Sequence, residues 1–397
     1  MNINELKQKF IGIYGGDQTG IRVFSSPGRV NLIGEHTDYN GGYVFPAAVT
    51  MSSTVIARPR SDRNINLIAT DLGILVNATL DTLDNFKKLK WGSYQLGVAD
   101  ELQKAGYKLT GCDLLYHDTI PLGAGLSSSA AIEVATAITL VSLGNTANEA
   151  EKPVDMVEMA LISQRAENKF VGVNCGIMDQ FASAMGRKNH AILLDCRDLS
   201  YKLVPLNLKG YKIIIANTNK KRSLGDSKYN ERRSECERGF ELLKPEIPGA
   251  TCLGDISYEG YKKAEHLIKD ENIRKRVEHV ICEDDRVLKS AEALKNDDIE
   301  LFGKLMIASH DSLRDLYEVT GIELDTLVAE ALKIEGVAGS RMTGAGFGGC
   351  TVSIVKESMV NYFVETVGRN YKEKTGLTAD FYVSEAGDGG REIKEEF

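Results

Sequence analysis

The chain has 397 residues, of which 43% are hydrophobic and 26% charged, so it is long enough for two or three domains with sizeable cores. Its net charge of −8 excludes the strongly basic character that a nucleic-acid-binding protein needs. The seven cysteines form no C-x-x-C pair, the N-terminus has no apolar signal core, and the longest weakly polar stretch is short for a membrane span. We therefore expect a cytoplasmic protein without a membrane or nucleic-acid partner.

In chain order, the first half predicts a mixture of helices and strands. Amphipathic spacing predicts a helix over residues 4–14. Alternation of β-branched residues predicts a strand over 51–57, with which strands 65–69 and 75–80 are expected to pair. The other predicted elements of this half are strands at 22–26, 43–45, 112–119 and 190–195 and helices at 91–104, 130–142, 156–170 and 178–185.

The second half is richer in helix. Its predicted elements are helices at 227–243, 284–318 and 324–334 and strands at 211–217, 351–355 and 381–383. This change in pattern predicts two domains, residues 1–200 and 201–397. The polar tail from residue 385 is expected to fold back over the first domain.

Two glycine-rich segments, 121–131 and 342–350, stand far apart in the chain. The first joins a predicted strand to a predicted helix and contains three consecutive serines. Glycine lets the backbone approach a ligand, and the unpaired N–H groups at a helix start bind phosphate. The candidate phosphate-binding residues are Gly123, Gly125, Ser127, Ser128 and Ser129, and the Ser129 hydroxyl is also a candidate ligand of Mg²⁺.

Three known loop types do not fit this first segment. It lacks the lysine of a Walker A loop, the third glycine of a dinucleotide-binding loop and the pattern of a protein-kinase loop. A tight turn followed by a serine that caps the helix remains the purely structural alternative. The segment therefore favours an ATP-using enzyme of another kind.

A third segment, residues 27–42, reads PGRVNLIGEHTDYNGG. It places Glu35, His36 and Asp38 within four residues, close to Arg29 and several glycines. Sugar hydroxyls both donate and accept hydrogen bonds, so carboxylates and an imidazole suit a polyol pocket. A metal site and a solvated polar turn are the alternatives.

Residues 28–42 closely resemble the signature of the galactokinases, which belong to the GHMP family of small-molecule kinases. Segment 121–131 resembles the ATP loop of that family and 343–350 its third motif, so the resemblance covers about residues 20–355. It implies an α+β fold of two domains, the first like domain 2 of ribosomal protein S5 and the second ferredoxin-like, with the active site in the cleft between them.

The resemblance also implies an activity. A galactokinase transfers the γ-phosphate of ATP, with Mg²⁺, to the C1 hydroxyl of D-galactose, giving α-D-galactose 1-phosphate and ADP. This step brings galactose into sugar-phosphate metabolism. We expect a monomer whose partners are D-galactose and ATP.

Individual roles follow from the same resemblance. Asp179 is expected to act as general base and Arg29 to stabilise charge near the γ-phosphate, whereas an N-cap and a structural ion pair are the alternatives. Galactose is expected to contact Glu35, His36, Asp38, Gly176 and Tyr229, the last in a loop before a helix. Glu167 is expected to hold Mg²⁺ with Ser129, or else to be a solvated residue at a helix end. Trp91 is expected near the adenine, or else in the core.

Other functions remain as alternatives. A kinase of the same family acting on N-acetylgalactosamine or arabinose would differ around C2 and C6 of the sugar, which a sequence does not reveal. A non-catalytic sensor of galactose and ATP would be expected to depart from the ATP-loop pattern, which is complete here. The missing third glycine disfavours an oxidoreductase.

Overall fold

The computed structural model describes residues 1–121, 123–149, 153–220 and 225–394, with only the backbone at 225–227. Leu122, in the first glycine-rich segment, therefore lies outside the described residues. The elements of the first half, in chain order, are α1 (Ile3–Tyr14), β1 (Arg22–Asn31), β2 (Tyr43–Val44), β3 (Pro46–Pro59), β4 (Asn64–Ala69), β5 (Leu75–Thr79), α2 (Gly92–Lys104), β6 (Cys112–Asp118), α3 (Ser128–Ala147), α4 (Met156–Ala166), α5 (Met178–Met185), β7 (His190–Asp195) and β8 (Tyr201–Pro205).

The second half continues with helices that outnumber its strands. Its elements are β9 (Tyr211–Asn217), α6 (Gly225–Leu243), α7 (Tyr258–Ala264), α8 (Glu271–Lys295), α9 (Ile299–Ser312), α10 (Ile322–Ala331), β10 (Val337–Thr343), β11 (Cys350–Lys356), α11 (Val360–Thr375), β12 (Asp380–Ser384) and β13 (Arg391–Glu392).

A six-stranded sheet with the order β13-β1-β3-β6-β4-β5 organises the first half. Its pairs are antiparallel except β4 with β6, which run parallel. The prediction that β4 and β5 pair with β3 was wrong. Both edges of β3 are taken, one by β1 and the other by β6, so β4 pairs with β6 and β5 instead.

Helix α3 packs against this sheet as its central core helix. Its apolar residues face all directions, and Val134, Ala135 and Ile138 are buried. Among the described residues it is the one helix long and apolar enough to cross a membrane, but 78% of its apolar window is buried inside the protein. Burial in the core of the domain therefore explains why α3 is apolar on all of its faces.

A four-stranded antiparallel sheet with the order β10-β11-β9-β12 organises the second half. Alternate residues of β9 point to opposite faces. Ile214 and Ala216 pack in one core with side chains of α10 and α11, and Ile213 and Ile215 in another with side chains of α8 and α9. The sheet is therefore covered by helices on both faces.

The two halves share one apolar core. Val30 and Phe45 from the first half cluster with Phe302 and Ile354 from the second. The tail crosses back, and its strand β13 pairs with β1. Strand β8 pairs with β7 in a small sheet that also includes β2. That sheet therefore extends to Pro205, slightly beyond the predicted division near residue 200, which stays a prediction.

Several elements differ from the predicted bounds. Strand β1 continues through Pro27 and Gly28 to Asn31 with an irregularity in its pairing, so the polyol segment begins inside a strand. Helix α8 begins at Glu271 rather than near 284. Strands β8, β10 and β13 and helices α7 and α11 were not predicted. Strand β13 and helix α7 are short, whereas α11 was overlooked although Phe363, Val367 and Tyr371 recur in it at helical spacing.

Candidate active site

A cavity of about 190 Å³ lies between the two domains. It is several times the roughly 30 Å³ that one water occupies, so it admits a small ligand. The first domain supplies mainly charged and polar side chains, and the second supplies one tyrosine and part of the second glycine-rich segment. The lining residues are Arg29, Glu35, His36, Asp38, Tyr39, Glu167, Val173, Cys175, Gly176, Met178, Asp179, Tyr229, Gly344, Ala345, Gly346 and Phe347.

Asp179 and Arg29 form an ion pair at one wall of the cavity. Arg29, on β1, donates from Nε to Asp179 Oδ1 at 2.8 Å and from a terminal nitrogen to the Gly125 carbonyl at 2.8 Å. Ser127 Oγ donates to Asp179 Oδ2 at 2.5 Å. The Arg29 side chain is 5% exposed and that of Asp179 is 29% exposed, so the carboxylate is the part that remains accessible.

Asp179 does not cap its helix. The N-cap position of α5 is Ile177, which makes no side-chain capping bond, and Asp179 lies in the first helical turn. Negative charge is favoured there by the helix dipole. The N-cap alternative is therefore excluded, whereas the ion pair with Arg29 is observed.

The first glycine-rich segment lies directly on β1. The backbone N–H of Arg29 donates to the Leu126 carbonyl at 3.1 Å, and a Cβ at Gly28 would overlap that same oxygen. Gly123 and Gly125 have φ of 71° and 76°, a region that favours glycine. Close packing and left-handed backbone thus explain both the glycine before Arg29 and the glycines of the loop.

The three serines have different environments. Ser127 has φ 59° at the N-cap position of α3, but its hydroxyl makes no capping bond and binds Asp179 instead. Ser128 begins α3, and Ser129 follows in its first turn. The expected helix start is confirmed, and the alternative of a simple serine cap fails because the Ser127 side chain turns to Asp179.

Glu35 is almost fully enclosed, with 1% exposure. Its Oε1 accepts from the Gly344 N–H at 2.7 Å and from Thr343 Oγ1 at 3.2 Å, and its Oε2 accepts from Asn31 Nδ2 at 2.7 Å. Burial raises the pKa of Glu35, and Arg341 is the largest opposing influence. Glu35 therefore joins the first domain to the second glycine-rich segment at the wall of the cavity.

His36 and Tyr229 form an aromatic wall of the cavity with Tyr39. His36 Nδ1 lies 2.8 Å from the Tyr39 hydroxyl, and the Tyr229 ring centroid lies 5.7 Å from that of His36. Burial lowers the pKa of His36 to about 3, so its imidazole is neutral. Tyr229 lies inside α6, in agreement with the helix predicted over 227–243 and not in a loop before it.

Asp38 packs directly against Gly176 in the wall of the cavity. A Cβ at Gly176 would overlap the Asp38 carboxylate, so glycine is needed there for steric reasons. Burial and then the charge of Asp179 raise the pKa of Asp38 to about 6. The two aspartates are therefore close enough for their charges to interact.

Glu167 is buried, which excludes the alternative of a solvated helix end. It opens a π-helical turn at the end of α4, and Gln180 Nε2 donates to its Oε2 at 2.6 Å. Burial and then the charge of Asp179 raise the pKa of Glu167 to about 7, and a hydrogen bond with Ser129 opposes the rise. The structure thus brings Glu167 and Ser129 together, and their binding of Mg²⁺ stays a prediction.

Trp91 lies apart from this cavity. It precedes α2, packs against the core of the first domain and meets Tyr116 edge to face at 5.8 Å between ring centroids. Its ring is partly exposed. Trp91 therefore packs partly in the core, which was the alternative, and its contact with adenine stays a prediction.

The second glycine-rich segment touches both the sugar-pocket residues and the phosphate loop. Gly344 binds Glu35, and Cys350 Sγ donates to the Ala124 carbonyl at 2.7 Å. A Cβ at Gly346 would overlap the Val319 carbonyl. The segment supports the first loop, and close backbone packing also requires one of its glycines.

Several residues of the site were not predicted from the sequence. Ser127 was expected at phosphate but binds Asp179, and Arg341 and Gln180 were not singled out. Arg341 carried no clear signal in the sequence, because β10 was not predicted and the burial of its residues is visible only in the structure. Gln180 carried none either, because its partner Glu167 lies on a different element.

Family models match three parts of the chain. The galactokinase galactose-binding signature matches residues 8–59, the N-terminal domain of GHMP kinases residues 93–187, and their C-terminal domain residues 290–372. The mevalonate kinase structure of Methanococcus jannaschii shares the fold, with a TM-score of 0.66 at 21% identity, 94% of this chain and 100% of that chain being covered. The fold and site define an ATP-using GHMP kinase of two domains.

Individual relatives narrow this class. Galactokinases of Clostridium tetani and Bacillus subtilis are 48% and 47% identical, each over 99% of this chain and 98% and 99% of their own lengths. The crystal structure of Lactococcus lactis galactokinase complexed with galactose superposes with a TM-score of 0.94 at 41% identity, 98% of this chain and 100% of that chain being covered. The chain belongs to the galactokinases, the GHMP kinases that phosphorylate galactose with ATP.

Proposed function

We propose that the protein transfers the γ-phosphate of ATP to the C1 hydroxyl of D-galactose, giving α-D-galactose 1-phosphate and ADP. The position of Arg29 carries this proposal. Its guanidinium donates both to Asp179 in the cavity and to the Gly125 carbonyl of the glycine-rich loop. One side chain thus joins the carboxylate facing the cavity to the loop expected to hold phosphate, as an in-line transfer requires.

Asp179 is proposed to accept the proton of the C1 hydroxyl as that oxygen attacks the γ-phosphate. Both of its oxygens accept hydrogen bonds, from Arg29 and Ser127, and these fix its orientation. A positioned base contributes typically ~10²–10⁴-fold to the rate. Arg29 is proposed to stabilise the negative charge that builds up between the attacking oxygen and the phosphate.

The sugar is proposed to bind in the cavity against Glu35, His36, Asp38, Gly176 and Tyr229. All five line it, and they offer carboxylates, an imidazole and a phenol to ring hydroxyls. The aromatic rings of His36 and Tyr229 supply an apolar face that suits the C–H groups of a sugar. The same residues support galactose over a purely anionic substrate, since the acidic groups would repel an anion.

ATP is proposed to bind along Gly123, Gly125 and the start of α3, where backbone N–H groups suit phosphate. Glu167 and Ser129 fit Mg²⁺, because they place a buried carboxylate and a hydroxyl together and a hard cation prefers such oxygen ligands. When bound, Mg²⁺ would neutralise part of the negative charge of the ATP phosphates. The carboxylate of Glu167 has a raised pKa that a nearby cation would lower.

We also propose a cytoplasmic location, in keeping with seven cysteines that form no disulfide among the described residues. We further propose that the protein is a monomer. Sedimentation of the purified protein tests the monomer. The division into domains 1–200 and 201–397 is likewise proposed.

The test of the function is ADP release from ATP, with and without Mg²⁺, by the purified protein. Galactose is compared with N-acetylgalactosamine, glucose, arabinose and homoserine. Rapid turnover with galactose, lost when Mg²⁺ is chelated, is expected. Turnover with another sugar alone would contradict the substrate, and galactose-dependent thermal stabilisation without turnover would instead support a sensor.

A further inference from the structure

A cluster of buried charges lies behind the sugar pocket, at the junction of the two domains. Arg341 and Glu283 are 0% exposed and Glu35 is 1% exposed. Arg341 comes from β10, Glu283 from α8 and Glu35 from the loop after β1. Charged side chains are rarely this buried unless they are paired.

Arg341 is held from several directions. Its terminal nitrogen lies 2.7 Å from Glu35 Oε2 and 3.8 Å from Glu283 Oε1. Nε donates to Ser309 Oγ at 3.2 Å, and the other terminal nitrogen donates to the Asn31 carbonyl at 3.2 Å. The planar guanidinium therefore has one fixed orientation, which places it against Glu35.

Glu35 is the main ionic partner of Arg341. Glu283 has its own close cation, Arg286, at 2.7 Å and also accepts from Ser309 Oγ and the Gly34 N–H. Glu35 has no other cation at comparable distance among the described residues. Arg341 itself does not line the cavity, whereas Glu35 does.

We infer that Arg341 is a positioning residue of the sugar site, which holds the Glu35 carboxylate charged and correctly oriented for galactose. The inference rests on the proposed function, because it takes Glu35 as a contact of the sugar. Arg341 acts through Glu35 and has no contact of its own with substrate. It also ties galactose binding to β10, whose end leads into the second glycine-rich segment.

The electrostatic surroundings of Glu35 support this role. Burial raises the pKa of Glu35, Arg341 opposes the rise, and the negative charge of Glu283 adds to it. His279, also on α8, contacts the Glu35 backbone carbonyl and is neutral because burial lowers its pKa to about 4. From the segment that carries Glu35, Asp38 adds negative charge and His36 is neutral. Arg341 is thus the main group that favours the charged form of Glu35 against the effect of burial.

The test compares galactose KM, ATP KM and kcat for R341M, R341K, E35Q and the double variant E35Q/R341M. Loss of the buried ionic partner of Glu35 is expected to raise the galactose KM of R341M about 10- to 100-fold, with little change in ATP KM. That KM should fall as the pH rises from about 6 to about 9, because Glu35 without Arg341 holds its proton to higher pH. In the E35Q background, R341M should add little.

R276K and R276M serve as matched controls. Arg276 is a second buried arginine with two carboxylate partners, Glu235 and Glu318, and none of its partners lines the cavity. Loss of Arg276 should lower thermal stability without a selective change in galactose KM. An equal change in galactose KM for both arginines would mean that Arg341 is merely structural.

Further outcomes would overturn the inference. An R341M galactose KM that equals that of the parent, or effects of E35Q and R341M that simply add, would overturn it. If R341M does not fold, R341K provides the test, because lysine retains the charge of arginine but lacks its planar guanidinium. An unchanged galactose KM in R341K would overturn the inference. Failure of the parent protein to phosphorylate galactose would instead contradict the proposed function.

Discussion

At the scale of single residues, the site depends on glycines that leave room for neighbouring groups as well as on its polar side chains. Gly176 leaves room for the Asp38 carboxylate, and Gly28 leaves room for the loop that holds Arg29 in place. Ser127 adopts φ 59°, which turns its hydroxyl away from helix capping and toward Asp179. Steric space and backbone conformation therefore set the positions of the catalytic candidates.

Gly176→Ala is expected to displace Asp38 from its place in the cavity. The added methyl would overlap the carboxylate, which must then move, so galactose KM should rise about tenfold or more while ATP KM changes little. Steady-state kinetics with each substrate varied in turn measure this. Equal changes in both constants, or none, would mean that Asp38 does not hold the sugar.

The residue types at this site could be predicted well where a motif carries them. Arg29, Glu35, Asp38 and the serine-rich loop all come together as the motifs indicated. Arg341 could not be predicted to meet Glu35, because the two are about three hundred positions apart and only the folded core joins them. Spacing along a chain identifies local chemistry, but it does not identify a partner from a distant strand.

At the scale of elements, the tail links the end of the second domain to the helix that carries Asp179. The backbone N–H groups of Gly389 and Gly390 donate to the carbonyls of Gly186 and Ser183, each at 2.8 Å. These carbonyls lie at the C-terminal end of α5, and Asp179 lies in its first turn. The tail therefore holds α5 against β1.

Gly389→Ala tests this link. A Cβ there would overlap the Ala184 carbonyl, so the tail must shift, at a cost of about 1–3 kcal/mol in the free energy of unfolding. We expect a lower melting temperature and a lower kcat, because α5 loses its support. Gly12→Ala, inside α1, is the control, since nothing lies within 4 Å of its added Cβ and alanine in a helix should keep or raise the melting temperature. Unchanged melting and turnover in Gly389→Ala would contradict the role of the tail.

Predicted elements were right where the hydrophobic period is strong and wrong where pairing is non-local. Helix α5 has the bounds expected from its sequence, and α3 is the buried helix that its composition indicates. The partners of β4 were mispredicted. Strands β1 and β6 occupy the two edges of β3, so β4 pairs with the other edge of β6. Local pattern contains no information about that competition.

At the scale of the whole molecule, α8 of the second domain contacts the first domain with a buried acid. Asp284 Oδ1 accepts from the Tyr43 N–H at 2.8 Å, and burial raises the pKa of Asp284 to about 8. The folded protein therefore binds a proton at neutral pH that the unfolded chain releases. Its contribution to stability declines as the pH rises toward 8.

Asp284→Asn should stabilise the protein at alkaline pH. The amide keeps an acceptor for Tyr43 without the buried charge, so a gain of ~1 kcal/mol or more is expected near pH 8.5, shrinking as the pH falls. Asp255→Asn is a control in which the change in stability should have the opposite sign. Hydrogen bonds from Thr251 hold the pKa of Asp255 at about 2, so the loss of this charged carboxylate should destabilise the protein. Thermal unfolding across pH measures both. A loss of stability in Asp284→Asn that is equal at all pH values would contradict the assignment.

The central claim is that Asp179 and Arg29 carry phosphoryl transfer to galactose in the cleft. The most direct test is the kcat of Asp179→Asn, measured by ADP release at saturating ATP and galactose, with galactose binding followed by calorimetry. We predict a kcat lower by ~10²–10⁴-fold in a folded protein that still binds galactose. A folded Asp179→Asn variant with near-normal kcat would contradict the general-base role and leave Asp179 as a structural partner of Arg29.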